Sequence, residues 1–189
     1  NIAVNFVKEA IKTGYQIVVV DGGSSDEFKS HLADLGVYVQ TEQQRGLSPS
    51  RRQAFAEVSS IPGVEVICWT EPEKISFVRD CLPQAAIPII TGVADIVVPK
   101  RDEQGLTTYP YDQIYAENKT NNVWMDVLRA HHLLPKDSKD FDFCFGPRLF
   151  KNTPEVKEVF MKAFDFSKRG DLALDKIIDP ELWPDASLL

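Results

Sequence analysis

Three short segments carry residues whose types and spacing can do chemistry. The first is Asp21-Gly22-Gly23-Ser24-Ser25-Asp26, directly behind a nearly all-apolar run at residues 16–20. An aspartate at the carboxyl end of a buried strand stands where open α/β sheets place ligands, two glycines permit a close approach, and a helix starting behind them offers amide donors. Such a carboxylate can accept a hydrogen bond from a nucleobase or a ribose. The second is Gln44-Arg45-Gly46-Leu47-Ser48-Pro49-Ser50-Arg51-Arg52, a glycine loop running into a helix start. There Arg45 can reach a diphosphate, and Arg51 can meet a carboxylate or phosphate through charge-assisted hydrogen bonds. The third is Thr70-Glu71-Pro72-Glu73, at the end of another apolar run. Carboxylates two residues apart in extended backbone point the same way, and a hard divalent cation with a diphosphate makes their proximity tolerable. Glu71 is the candidate for ribose or a bound water, and Glu73 for the metal. Each segment alone also reads as a strand end, a helix cap or a solvated charge; their order and spacing matter more than any one.

The elements that must position these residues alternate. Helix patterns at residues 1–12, 26–35, 48–58 and from 75 onward separate strand patterns at 16–20, 37–39, 64–69 and 94–98, with Gly36 ending the second helix and Ser48-Pro49 opening the third. Strands and helices at this spacing predict a mostly parallel sheet covered on both faces. After Arg101 the pattern changes to a turn-rich stretch at 102–110, a helix at 111–134, a returning strand at 141–145 and a helix from Thr153 or Pro154 to Phe164, before a tail with Pro180 and Pro184. No repeat or Gly/Ser-rich linker divides the chain, which reads as one domain over 1–189 with a binding portion at 1–101 and an acceptor-side portion at 102–189.

Together, Asp21-Gly22-Gly23-Ser24-Ser25-Asp26, Gly46 through Ser50-Arg51-Arg52, Glu71-Pro72-Glu73 and Ala94 through Arg101 resemble the GT-A glycosyltransferases, especially the large inverting family 2. That family's pattern is Asp-Asp-Gly-Ser-x-Asp, a Gly-x-x-x-Ala-Arg-Asn-like helix start and Asp-x-Asp; here Gly22 replaces the second aspartate, and glutamates replace the metal-motif aspartates. The resemblance covers residues 1–101 well and the remainder weakly. It implies a GT-A-like, Rossmann-type, mostly parallel sheet flanked by helices, lacking its first strand in a truncated or incompletely represented chain. It also implies metal-dependent transfer of a sugar from a UDP-sugar or GDP-sugar to a hydroxyl acceptor, with inversion, or with retention in an enzyme of the same fold. In that reading Asp21 contacts the base, Arg51 supports the acidic motif, and Glu73 binds Mg²⁺ or Mn²⁺ beside the diphosphate. Inverting transfer needs a carboxylate to deprotonate the acceptor, for which Glu117, Asp140 and Asp142 are the candidates. Tyr109, Tyr111, Trp124, His131 and His132 can contribute to an acceptor surface or simply pack and solvate a helix.

Composition narrows the alternatives. The chain has 189 residues, 43% of them apolar and 26% charged, a balance that can build a core. Its net charge of −7 gives no overall attraction to nucleic acid or anionic membrane. No apolar run reaches membrane-spanning length. Cys68, Cys81 and Cys144 are odd in number and lack zinc-type spacing, which favours a reducing compartment and a cytoplasmic location. GxGxxG, GxxxxGK, HExxH and GxSxG are all missing. Two other functions fit the same residues: a nucleotidyltransferase acting on a sugar phosphate, and a noncatalytic nucleotide-binding or interaction domain.

Overall fold

A computed structural model describes residues 1–135 and 138–163. The element order begins α1 (Ile2–Lys12), β1 (Val18–Asp21), α2 (Asp26–Asp34), β2 (Tyr38–Thr41), α3 (Leu47–Ser59) and β3 (Val66–Trp69). A π-helical turn (Phe77–Cys81) then leads into α4 (Leu82–Ile90), β4 (Ile96–Val97), α5 (Glu103–Leu106), α6 (Tyr111–Ala130), β5 (Arg148–Lys151) and α7 (Pro154–Met161). Local chemistry explains most boundaries. Asn1 caps α1 by accepting from the Ala3 amide, Ser25 caps α2 by accepting from Phe28, and Thr153 caps α7 by accepting from Val156. The expected Ser48 cap is replaced by Gly46, whose φ of 127° turns the chain into α3 two residues earlier and leaves Ser48 fully buried. The extension of the last helix to Phe164 and the proline-bearing tail lie outside the described residues.

The expected single, mostly parallel Rossmann-type GT-A sheet is not what forms. The strands divide into a two-stranded parallel sheet, β1-β2, and a three-stranded sheet in the order β3-β5-β4, in which β5 runs antiparallel to both neighbours. The turn before β5 explains the reversal. Asp142 accepts from the Phe145 amide at 3.2 Å, and the Arg148 guanidinium donates to the carbonyls of Phe143, Phe145 and Pro147. This folds 141–147 into a turn where a strand was expected at 141–145, and the chain returns between β3 and β4. Asn152 fixes the register by donating to the carbonyls of Ser59 and Val64 at 3.1 and 2.8 Å.

Apolar strands indicated burial on both faces, and that part of the pattern has a direct physical source. Val66, Cys68 and Leu149 pack on one face with Phe77, Val78, Leu82 and Ile89, while Ile67, Trp69 and Phe150 pack on the other with Phe55, Val156 and Phe160. Two-sided burial produces the same near-continuous apolar run whichever way a strand points. Phe55 meets Phe150 edge to face at 5.7 Å, and such a pair adds about 0.5–1.5 kcal/mol to the burial of its rings. A third cluster, Val7, Leu32 and Val37 with Ile17, Val19 and Val39 against it, seats α1 and α2 on the parallel pair. Among the described residues no helix is long and apolar enough to cross a membrane.

Candidate functional site

At the end of β1 the Asp21 carboxylate is buried and turned back on its own loop. Its Oδ2 accepts from the amides of Gly23 and Ser24 at 3.0 and 2.8 Å. Burial works against its charge, but Ser24, the two amides and Lys29 prevail and hold the carboxyl below its ordinary range. Gly23 sits at φ 125°, which a side chain would strain, and a Cβ on Gly22 would lie 3.3 Å from Glu42 Oε1. The first motif is thus an ionised aspartate in a glycine turn pressed against Glu42.

Glu42 connects that turn to the second motif. Ser50 in α3 donates to Glu42 Oε2 at 2.9 Å, while Gln53, one turn on, accepts from the Gln43 amide and donates to the Thr41 carbonyl. Arg45 is exposed in the intervening loop. Arg51 follows Ser50 on α3, and its guanidinium lies 4.2 Å from the centre of the Trp69 ring at the end of β3. Burial lowers its pKa, and the charge of Glu71 opposes that effect. Such stacking suits a planar guanidinium and would not suit lysine.

Behind Trp69, Glu71 lies in an enclosed, conflicted place. Burial raises its pKa and the charge of Glu73 adds to the rise, against its own backbone amide, Lys74 and Arg51. Its Oε2 and the neighbouring Thr70 Oγ1 are buried with no hydrogen-bond partner among the described residues. An unsatisfied buried group costs about 1–3 kcal/mol, so each of these atoms has capacity for a further partner. Gly146 passes directly over the Glu71 carboxyl, leaving no room for a Cβ there. Arg148 is held nearby, with burial lowering its pKa and the charges of Asp142 and Glu71 raising it. Glu73, by contrast, has a side chain 54% exposed, and its nearest cation is the Lys74 ammonium at 3.6 Å.

The three carboxylates considered as bases have other partners. Arg101 donates to both oxygens of Asp142 at 2.8 and 2.9 Å and reaches Glu117 at 2.6 Å. Asn121 adds a hydrogen bond to Asp142 at 3.1 Å. Burial opposes the Asp142 charge, but Arg101 and Asn121 keep its carboxyl below the usual range, which makes it a weak proton acceptor. Asp140 lies apart, paired at the surface with Arg129 at 2.6 Å. Of the proposed acceptor aromatics, Tyr109 joins the cluster, with its ring 5.0 Å from the Arg101 guanidinium. Tyr111 and Trp124 are exposed on α6, His131 closes that helix, and His132 follows in the left-handed region at φ 55°.

Lys74, Arg101, Gly146 and Arg148 were not among the residues singled out for the site. The run Phe145-Gly146-Pro147-Arg148 was visible, but only the fold shows that its glycine covers Glu71. The carboxylates also bear on the expected cation. Among the described residues, no group of three or more His, Cys, Asp and Glu side chains converges. Glu71 is biased towards its protonated form, and Glu73 faces an ammonium. Divalent magnesium and manganese prefer several converging, ionised oxygens, and these residues alone do not fit a resident ion of that kind. Comparison of the chain with protein-family models, curated proteins and solved structures finds no match.

Proposed function

We propose that the chain binds a nucleotide-diphosphate sugar, a UDP-sugar or GDP-sugar, and transfers the sugar to a hydroxyl acceptor. One observation carries this reading: the three motif segments lie next to one another, bridged by Glu42 and by the Arg51-Trp69 stack. Gly22 lies against Glu42, Glu42 accepts from Ser50, and the adjacent Arg51 stacks on Trp69 beside Glu71. In this reading the ionised Asp21 accepts hydrogen bonds from the base or ribose. Cationic side chains near Glu71 then oppose the charge that develops on the departing diphosphate, where partial burial strengthens each interaction.

Incubation with UDP-sugars or GDP-sugars and a panel of hydroxyl acceptors tests this. Release of nucleoside diphosphate with a glycosylated product is the expected result. Formation of nucleotide sugar and pyrophosphate from a nucleoside triphosphate and a sugar phosphate would identify a nucleotidyltransferase instead. The engagement of both Glu117 and Asp142 by Arg101 favours a second reading, a noncatalytic nucleotide-binding domain, for which binding without turnover is the expected outcome. A cytoplasmic location is part of this reading, supported by the odd number and wide spacing of Cys68, Cys81 and Cys144.

A further inference from the structure

We propose that Lys74 is a diphosphate-binding residue, supplying the positive charge that the Glu71-Glu73 pair would otherwise take from a metal ion. This rests on the nucleotide-sugar reading for its ligand and on the side-chain geometry for its residue. The Lys74 side chain is only 17% exposed. Its ammonium lies 5.6 Å from the Tyr109 ring centre and 5.8 Å from that of Phe145, with the Tyr109 hydroxyl at 3.3 Å. Its backbone amide donates to the Glu71 carbonyl at 3.0 Å, which closes the backbone turn that carries Glu71, Glu73 and Lys74.

Neighbouring cations are committed elsewhere. Arg101 shares the same two rings but is taken up by Asp142 and Glu117, and Arg148 spends its donors on three backbone carbonyls. An ammonium has three donors. Among the described residues, Lys74 has one weak hydrogen bond to Tyr109 and a carboxylate 3.6 Å away, beyond direct hydrogen-bonding distance, so it retains capacity for a strong acceptor. A partly desolvated cation between aromatic faces attracts an anion more strongly than a solvated lysine does. Thr70 and Glu71 bring a second, independent sign of a ligand to the same strand end, two buried polar atoms without hydrogen-bond partners among the described residues. Phosphoryl oxygens match this arrangement: they accept from Lys74, and they do not need Glu73 to gather a metal.

The test is calorimetric titration of the full chain with inorganic pyrophosphate in EDTA, comparing the parent with Lys74→Met, Lys74→Arg and Tyr109→Phe. The expected result is binding by the parent in EDTA, weakened at least tenfold in Lys74→Met and largely kept in Lys74→Arg, with melting temperatures unchanged. Lys74→Met binding within twofold of the parent would overturn the proposal, as would a parent that binds pyrophosphate only with added Mn²⁺ or not at all. Should Lys74→Met prove less stable, Lys74→Gln carries the same comparison. UDP and GDP in parallel separate the two levels. If neither binds more tightly than pyrophosphate, the nucleotide reading fails while the Lys74 site stands; if one binds the parent and Lys74→Met equally, Lys74 fails while the nucleotide reading stands.

Discussion

Asp142 and Glu71 are carboxyls whose surroundings push them in opposite directions, and each direction has a measurable consequence. Asp142, 4% exposed, is held ionised by Arg101 and Asn121. Removing one partner of a buried pair leaves the other uncompensated, so Asp142→Ala should lower stability by about 3–5 kcal/mol in urea unfolding; a loss below about 1 kcal/mol would show that Arg101 is satisfied without it. Because the folded-state pKa of Asp142 is depressed, its contribution is complete above the unfolded value of about 3.9 and is lost as pH falls through the folded one. The difference between parent and Asp142→Asn should therefore shrink on acidification. Glu71 has the reverse sign, since a raised folded pKa costs stability as pH rises through it. Glu71→Gln should raise the melting temperature at pH 7 and do so less at pH 4, and a gain independent of pH would contradict the assignment. Burial, with the charge of Glu71, pushes the Cys68 thiol up to about 12, whereas Cys81 is exposed. A thiol reagent at pH 8 should label Cys81 first and Cys68 only on unfolding, as mass mapping would show.

At the scale of elements, the turn at 141–147 decides both the topology and the shape of the site. Gly146 is needed there because Glu71 occupies the space that a side chain would take. Gly146→Ala should cost about 1–3 kcal/mol by overpacking. In a Glu71→Ala background most of that cost should disappear, and a double-mutant cycle without coupling would deny the contact. Helix starts near Asp26 and at Thr153 or Pro154 were legible because helix initiation is local chemistry between residues a few positions apart; the structure selects Ser25 and Thr153 as the caps. The direction of β5 was not legible. It depends on Arg148 gathering carbonyls of its own loop and on Asn152 reaching back to residues 59 and 64, contacts that leave no mark in apolar periodicity.

For the molecule as a whole, a net charge of −7 conceals a local concentration of cations at the end of β3, where Arg51, Lys74 and Arg148 come from three distant parts of the chain. Asp21, Arg51, Glu71 and Glu73 form one group in the sequence only through the order of their segments and the resemblance that this order carries. The positions of Lys74 and Arg148 depend on which rings and carbonyls surround them, which local spacing does not encode. The resemblance of residues 1–101 brought with it an expectation of one parallel sheet, which the two sheets found overturn. The neighbouring motifs, rather than the sheet, therefore carry the functional reading. Its most direct test is calorimetric titration of the full chain with UDP and with GDP, for the parent and for Asp21→Asn and Arg51→Gln. The account predicts that one of the two nucleotides binds the parent and that each substitution weakens it at least tenfold. A folded parent that binds neither, or variants that bind as tightly as the parent, would contradict it.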